Sequence, residues 1–423
     1  MWNKMKKPFY ICLLLCLCSC DHSGVQDRPD AGSGIWLSAR VEGSVATKKP
    51  YVPYEDADSE PDYPTSERVL SADVWGSTVK YLFKHELKDD GNPYDGSGTD
   101  GKVAIHTNAS FRSGDPQLLS AAIYGKGDGS TPEVYFVAFH PMGWTTAAAG
   151  TADEGKVAAY SFDGNDDVMF APQVSGHYAT DYEKSPQLYF RHLLTWLRIE
   201  VKAESETVSD AWGKITAMTL KSKNKVTVDL SENAYLETTE DSKTIYTYKG
   251  FEEDDGHISF SGEVDMAFFC TEDEEVYVED KVTVRKKFTD EKFPAGHSGS
   301  EGGGYKIPGK FDSAVEDIDP VEVAYVMCAP VNATEMVVVD GNEVDSAEYE
   351  ITVVTEKRTV TVPVDLRVEV DGEDVPYEGS TRCRQFTLSL LFKMGNTVSA
   401  TVYAKDWIPD GVIVSDFGDG EIK

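Results

Sequence analysis

The chain has 423 residues and a formal net charge of −33, from 73 acidic and 40 basic side chains. That balance repels phosphate backbones and anionic lipid surfaces, so nucleic acid is excluded as a partner. Beyond residue 20 no apolar stretch reaches the roughly 20 residues of a membrane-spanning helix, which predicts a soluble body.

The first residues hold the parts of an export signal in order. Lys4, Lys6 and Lys7 make a cationic start, and Phe9 to Cys18 is an unbroken apolar run too short to span a bilayer. Leu17-Cys18-Ser19-Cys20 then resembles a bacterial lipobox, which predicts a signal peptide over 1–19 and lipidation of Cys20. Acyl chains on Cys20 would anchor the protein to an outer membrane, each buried CH₂ contributing about 0.8 kcal/mol. An ordinary cleaved signal that contains cysteines is the alternative. Loss of 1–19 removes three lysines and no acids, taking the charge from −33 to −36. It also leaves Cys270, Cys328 and Cys383 beside Cys20, an odd and widely spaced set that reads as small buried hydrophobes, with one bridge among the three left open.

Residues 20–34 read as a flexible tether rich in Gly, Pro and Asp, and Ile35 to Glu42 as a short strand. The stretch 43–68 carries Pro50, Pro53, Pro61 and Pro64 among many acids and reads as a long exposed loop. Strand candidates follow at Val79 to Phe83, Lys102 to Thr107 and Val134 to His140. Leu188 to Val201 is the most apolar interior stretch, and its aromatic and β-branched content predicts strand with a bend or break. Lys214 to Leu220 and Lys225 to Leu230, with Ser-Lys-Asn between them, carry a hairpin signal. Further strands are predicted at Val276 to Val284, Val321 to Cys328, Met336 to Val339, Tyr349 to Val354, Arg358 to Leu366, Phe386 to Phe392 and Thr397 to Ala404. Short strands at regular spacing with little helical periodicity predict an all-β sandwich architecture in two domains, 35–235 and 236–423.

Motifs for chemistry fail on their spacing. Gly96 to Val103 nearly matches a phosphate loop but lacks the Mg²⁺-binding hydroxyl and precedes a strand-like run. His85-Glu86 begins a zinc-protease motif that Asp89 ends, and Gly296-His297-Ser298-Gly299 is out of register for a nucleophile elbow. Asp163 to Asp167 starts like a calcium loop, but Val168 holds the turn-glycine position and Val174 the position of the bidentate Glu. His192 reads as a hydrogen-bonded core residue. Trp75, Trp144, Trp196, Trp212 and Trp407 read mainly as core, and Tyr51, Tyr54 and Tyr63 leave a glycan surface open. No enzyme, metal or cofactor is predicted.

Several stretches taken in order resemble the fimbrillin-like lipoproteins of Bacteroides and relatives, subunits of type V pili. They are Asp167 to Ala171, Leu188 to Leu197, Val226 to Leu230, Val323 to Pro330 and Ala404 to Trp407. The resemblance implies two transthyretin-like Greek-key β-sandwich domains in tandem and a structural role in a fimbrium or as a pilus-associated adhesin. It implies that a protease cuts after an arginine beyond the first strand, and that an extended segment of another subunit fills the groove left behind. Residues 35–42 fit the removable strand, Arg68 is the preferred cut site and Arg40 the alternative. Val412, Ile413 and Val414, in the tail 408–423, are the candidate donor strand. The implied partners are other pilus subunits, the outer membrane through the lipid, and host or bacterial surface glycans or proteins. A surface lipoprotein that binds glycan or another ligand is the second hypothesis.

Overall fold

The computed structural model describes residues 34–41, 69–77, 80–81, 105–112, 117–120, 133–146, 156–177, 186–240, 243–251, 256–278, 281–294, 303–309, 320–333, 337–339, 342–344, 349–364, 366–370, 373–377, 379–395 and 397–406. Within them the chain is all-β with one short α-helix. Strands β1 (Gly34–Val41), β2 (Val69–Ser77), β3 (Ile105–Arg112), β4 (Gln117–Ser120), β5 (Glu133–His140), β6 (Thr145–Thr146), β7 (Val157–Ser161), β8 (Met169–His177), β9 (Gln187–His192) and β10 (Thr195–Ala203) precede α1 (Glu206–Trp212). Then come β11 (Ile215–Ser222), β12 (Lys225–Asp229), β13 (Tyr235–Glu240), β14 (Lys243–Tyr248), β15 (Ile258–Ser261), β16 (Val264–Ala267), β17 (Phe269–Val278) and β18 (Lys281–Lys292). The remainder is β19 (Val321–Cys328), β20 (Asn332–Ala333), β21 (Val337–Val339), β22 (Asn342–Val344), β23 (Tyr349–Thr355), β24 (Thr359–Val364), β25 (Arg367–Val370), β26 (Glu373–Pro376), β27 (Gly379–Ser380), β28 (Arg384–Phe392) and β29 (Val398–Asp406).

Four sheets dominate. Their strand orders are β3-β2-β5-β8-β9-β1-β4, β18-β17-β19-β10-β28-β29, β16-β11-β23-β24 and β15-β12-β7-β6. Period-2 alternation sets the faces. On β23 Tyr349, Ile351, Val353 and Thr355 are buried while the residues between them are not, and on β12 Val226 and Val228 are buried. β19 is buried from Glu322 to Cys328, as expected for a central strand whose sequence is nearly all apolar. Leu197, Ile199 and Val201 of β10, with Phe386, Leu388 and Leu390 of β28, share one large core cluster with Met218, Leu220, Ile351 and Val353 of the β11 sheet.

The helix is set by its ends. Ser205 Oγ accepts from the Val208 N–H at 3.3 Å as the N-cap, and Gly213, at φ +75°, ends the helix. A side chain on Gly213 would also meet the Glu356 carboxylate at 2.9 Å. Trp212 fixes the helix to β28: its ring is buried against Phe392, its Nε1–H donates to the Lys393 carbonyl at 3.1 Å, and the Arg358 guanidinium lies 4.5 Å over it.

Three expectations are corrected. The stretch 214–230 is not a hairpin: β11 pairs with β16 and β23, whereas β12 pairs with β15 and β7. Ser222 lies opposite Val264 and Lys225 opposite Ser261 in one unbroken register, so β11–β12 and β15–β16 are the two arms of a single bent ribbon. The Ser-Lys-Asn residues bend the chain between sheets, where the Asn224 N–H still donates to the Ser261 carbonyl at 3.2 Å. Val276 to Val284 is not one strand but the tip of the β17–β18 hairpin, with Val278 paired to Lys281. Lys80 and Tyr81, inside the expected strand Val79 to Phe83, form a turn with Tyr81 at φ +56°.

The predicted break in Leu188 to Val201 is present. β9 belongs to the seven-stranded sheet and β10 to the six-stranded one, with Leu193 and Leu194 carrying the chain across. Strand pairing crosses the position expected for a domain boundary, since β10 pairs with β28 and β11 with β23, while β12 returns to β7.

Candidate strand-exchange groove

β1 lies between β9 and β4. Its first half, Gly34 to Leu37, runs antiparallel to β4, and its second half, Ser38 to Val41, runs parallel to β9. Alternation turns Leu37 and Ala39 to one side, where both are buried. On the same side β9 turns Leu188 and Phe190, both fully buried, and Ala39 lies directly beside Leu188 and Val41 beside Phe190. Ala72 and Val74 of β2, Phe136 and Ala138 of β5, and Met169 and Ala171 of β8 are buried too. None of these ten residues belongs to the large core cluster among the described residues. The opposite face of the same sheet does belong to it, through Trp75, Val137, Phe139 and Phe170.

The far end of β9 is pinned by polar contacts. His192 is buried, and its Nδ1 lies 2.8 Å from Oδ1 of the fully buried Asp167. The Leu193 N–H donates to the Val168 carbonyl at 2.8 Å, and the Cys383 N–H to the Leu194 carbonyl at 3.1 Å. His192 is thus a hydrogen-bonded core residue, as its sequence context indicates. The neighbouring acids are also engaged by protein groups. Asp163 Oδ1 accepts from the Asn165 N–H at 3.1 Å, and Asp166 Oδ2 accepts from the Tyr160 hydroxyl at 2.9 Å. Burial pushes the Asp166 carboxyl up, against the effect of the Tyr160 hydrogen bond. Among the described residues no group of three or more His, Cys, Asp or Glu could hold a metal ion.

Among the described residues none of the three cysteines forms a disulfide: Cys270 and Cys328 are buried and Cys383 is half-buried. Trp75, Trp144, Trp196 and Trp212 are all core residues. Arg40 sits inside β1, with its Cα opposite that of Tyr189 in the parallel pairing with β9. Cys20, Arg68, Trp407, Val412, Ile413 and Val414 lie outside the described residues, and Val69 is the first residue of β2. Leu188 and Phe190 open the stretch Leu188 to Leu197 that carries the family resemblance, whereas Leu37 and Ala39 were not singled out from the sequence. The alternation of Ile35, Leu37, Ala39 and Val41 with Trp36, Ser38 and Arg40 was the signal available.

Residues 94–296 match the family model described as fimbrillin-like. No curated protein matches the chain. Among solved structures, a candidate cell adhesion protein of Bacteroides uniformis is 13% identical, with 90% of this chain and 100% of that one covered at a TM-score of 0.35. A fimbrial protein of Bacteroides vulgatus is 11% identical, with 89% and 99% covered at the same TM-score. Among the described residues no helix is long and apolar enough to cross a membrane. Through residues 94–296 the chain is similar to the fimbrillin-like family, and a fimbrial role is the role that this similarity supports.

Proposed function

We propose that this chain is a fimbrial subunit or pilus-associated adhesin, exported as a lipoprotein through Cys20 and assembled by strand addition once β1 is removed. The observation that carries the reading is the separation of the two cores. Leu37 and Ala39 fill a small core that excludes the large cluster, so β1 can leave without dissolving the packing that holds the other sheets. Its departure frees the main-chain groups of β9 and β4 and uncovers Leu188 and Phe190. An extended segment of another subunit then supplies both the hydrogen bonds and the apolar side chains.

Cleavage is assigned to Arg68 rather than Arg40. A protease needs an unpaired, extended backbone, and Arg40 is held in the β1–β9 ladder, whereas a cut after Arg68 leaves a new terminus at the first residue of β2. In this reading the strands form transthyretin-like sandwiches, Cys20 delivers the precursor to the outer membrane, and the lipid departs with β1. The donor is the tail that includes Val412, Ile413 and Val414. Limited trypsin digestion of the mature chain, followed by electrophoresis without boiling, tests this. SDS-resistant ladders support assembly, and a nicked protein that stays monomeric at high concentration contradicts it.

A further inference from the structure

The six-stranded sheet sets two carboxylates on one rung. β10 turns Leu197, Ile199 and Val201 to the large core and Arg198, Glu200 and Lys202, all half-buried, to the other face. The β10–β19 register slips by one residue after Ile199, which lies opposite Ala324, so Glu200 falls directly opposite Glu322. Cβ atoms so placed on antiparallel strands are about 4.5–5.5 Å apart, and like charges there are destabilising. β17 pairs with β19 only through Phe269 and Cys270, so among the described residues the Glu322 rung is held in the sheet by β10 alone.

The surrounding charges are already engaged. Arg198 Nη2 is ion-paired with Glu322 Oε2. Lys286 of β18 reaches Asp273 of β17 at 2.6 Å and donates to the Glu322 carbonyl at 3.1 Å. Lys202 lies two residues along β10, and on the other flank of Glu200 β28 places the uncharged Ser389. Glu200 makes no hydrogen bond or ion pair among the described residues. Glu322 is 7% exposed, and its Oε1 is buried without a hydrogen-bond partner. One proton supplies the missing donor: a protonated Glu200 can donate, while an ionised Glu322 accepts and keeps Arg198.

We propose that Glu200 and Glu322 form an acid-closed clasp between β10 and β19, in which Glu200 takes one proton from solvent and donates it in a hydrogen bond to Glu322 Oε1. Burial first, and the Glu322 charge second, holds the Glu200 carboxyl above its ordinary 4.5, against the opposing charges of Arg198, Lys286 and Lys202. A carboxyl raised in the fold stabilises fully below pH 4.5 and loses that contribution as the pH rises through its raised value. The clasp therefore opens towards alkaline pH, leaving two like charges on the rung.

Glu200→Gln in the full chain tests this, because an amide N–H donates to Glu322 Oε1 at any pH. Urea unfolding of both chains is followed at pH 5 and pH 8, with hydrogen exchange of the β10 and β19 amides in the native state. The unfolding constants are expected to agree within about threefold at pH 5. At pH 8 the variant is expected to unfold about tenfold less readily for each unit by which Glu200 is raised, and its β10 and β19 amides to exchange more slowly by a similar factor. A difference between the chains that is the same at both pH values overturns the clasp. So does a variant that is less stable than the natural chain at pH 8, or one whose β10 and β19 exchange is unchanged there.

Discussion

Leu37→Ala separates a locally held strand from one welded into the core. Leu37 is fully buried, and truncating a buried leucine costs about 3 kcal/mol, within the spread set by how far the cavity collapses. If that penalty falls on release of β1 alone, the released population rises about a hundredfold, since each 1.4 kcal/mol is a factor of ten. Hydrogen exchange on the native full chain reads this directly, through the amides of β1 and of its β9 and β4 partners. The comparator is Leu388→Ala, the same truncation at a fully buried site in the large cluster. Leu37→Ala should speed exchange of the β1 ladder about a hundredfold and leave the main thermal transition nearly in place. Leu388→Ala should lower that transition by about 1–2 °C per kcal/mol, since an unfolding entropy of about 2.1 cal/mol/K per residue amounts to about 0.8 kcal/mol/K over roughly 400 residues. Equal thermal shifts for both variants, with no selective exchange in β1, would refute the separation of the two cores.

Asp167→Ala removes the carboxylate beside the buried His192 ring and should destabilise the chain by about 3 kcal/mol, with Asp167→Asn losing less, both read by urea denaturation. Thr381 Oγ1 accepts from the Val331 N–H at 2.9 Å and lies 2.8 Å from Thr195 Oγ1 and 3.1 Å from the Tyr349 hydroxyl. Thr381→Val should therefore cost about 2 kcal/mol in the same assay, with Thr381→Ser recovering most of it. Burial pushes the thiols of Cys270 and Cys328 up from 9.0 to about 12. Both stay protonated in the fold at pH 8 and should resist alkylation until denaturant is added, as mass spectrometry would show. By linkage their contribution to stability is full below pH 9 and is lost as the pH rises towards 12.

Strand positions were legible wherever burial imposes a pattern. Val321 to Cys328 reads as a central strand because both faces of β19 are covered, and Leu188 to Val201 reads as broken because it serves two sheets. Pairing was not legible. The stretch 214–230 has the local look of a hairpin, yet its partners come from 258–267, and nothing in the short range distinguishes a turn from a bend that carries a strand between sheets. The β17–β18 turn was hidden for a related reason, because valines flank Glu279 and Asp280 and continue the apparent run. The β1 segment was visible as a strand, but its small separate core depends on β2, β5, β8 and β9, which are distant in sequence.

Exchange of β1 is read by N-terminal sequencing of the protein sheared from intact cells. A free terminus at Val69 is expected, with Cys20 and β1 absent from the assembled material. A blocked terminus at Cys20 in that material, with β1 retained, would contradict it.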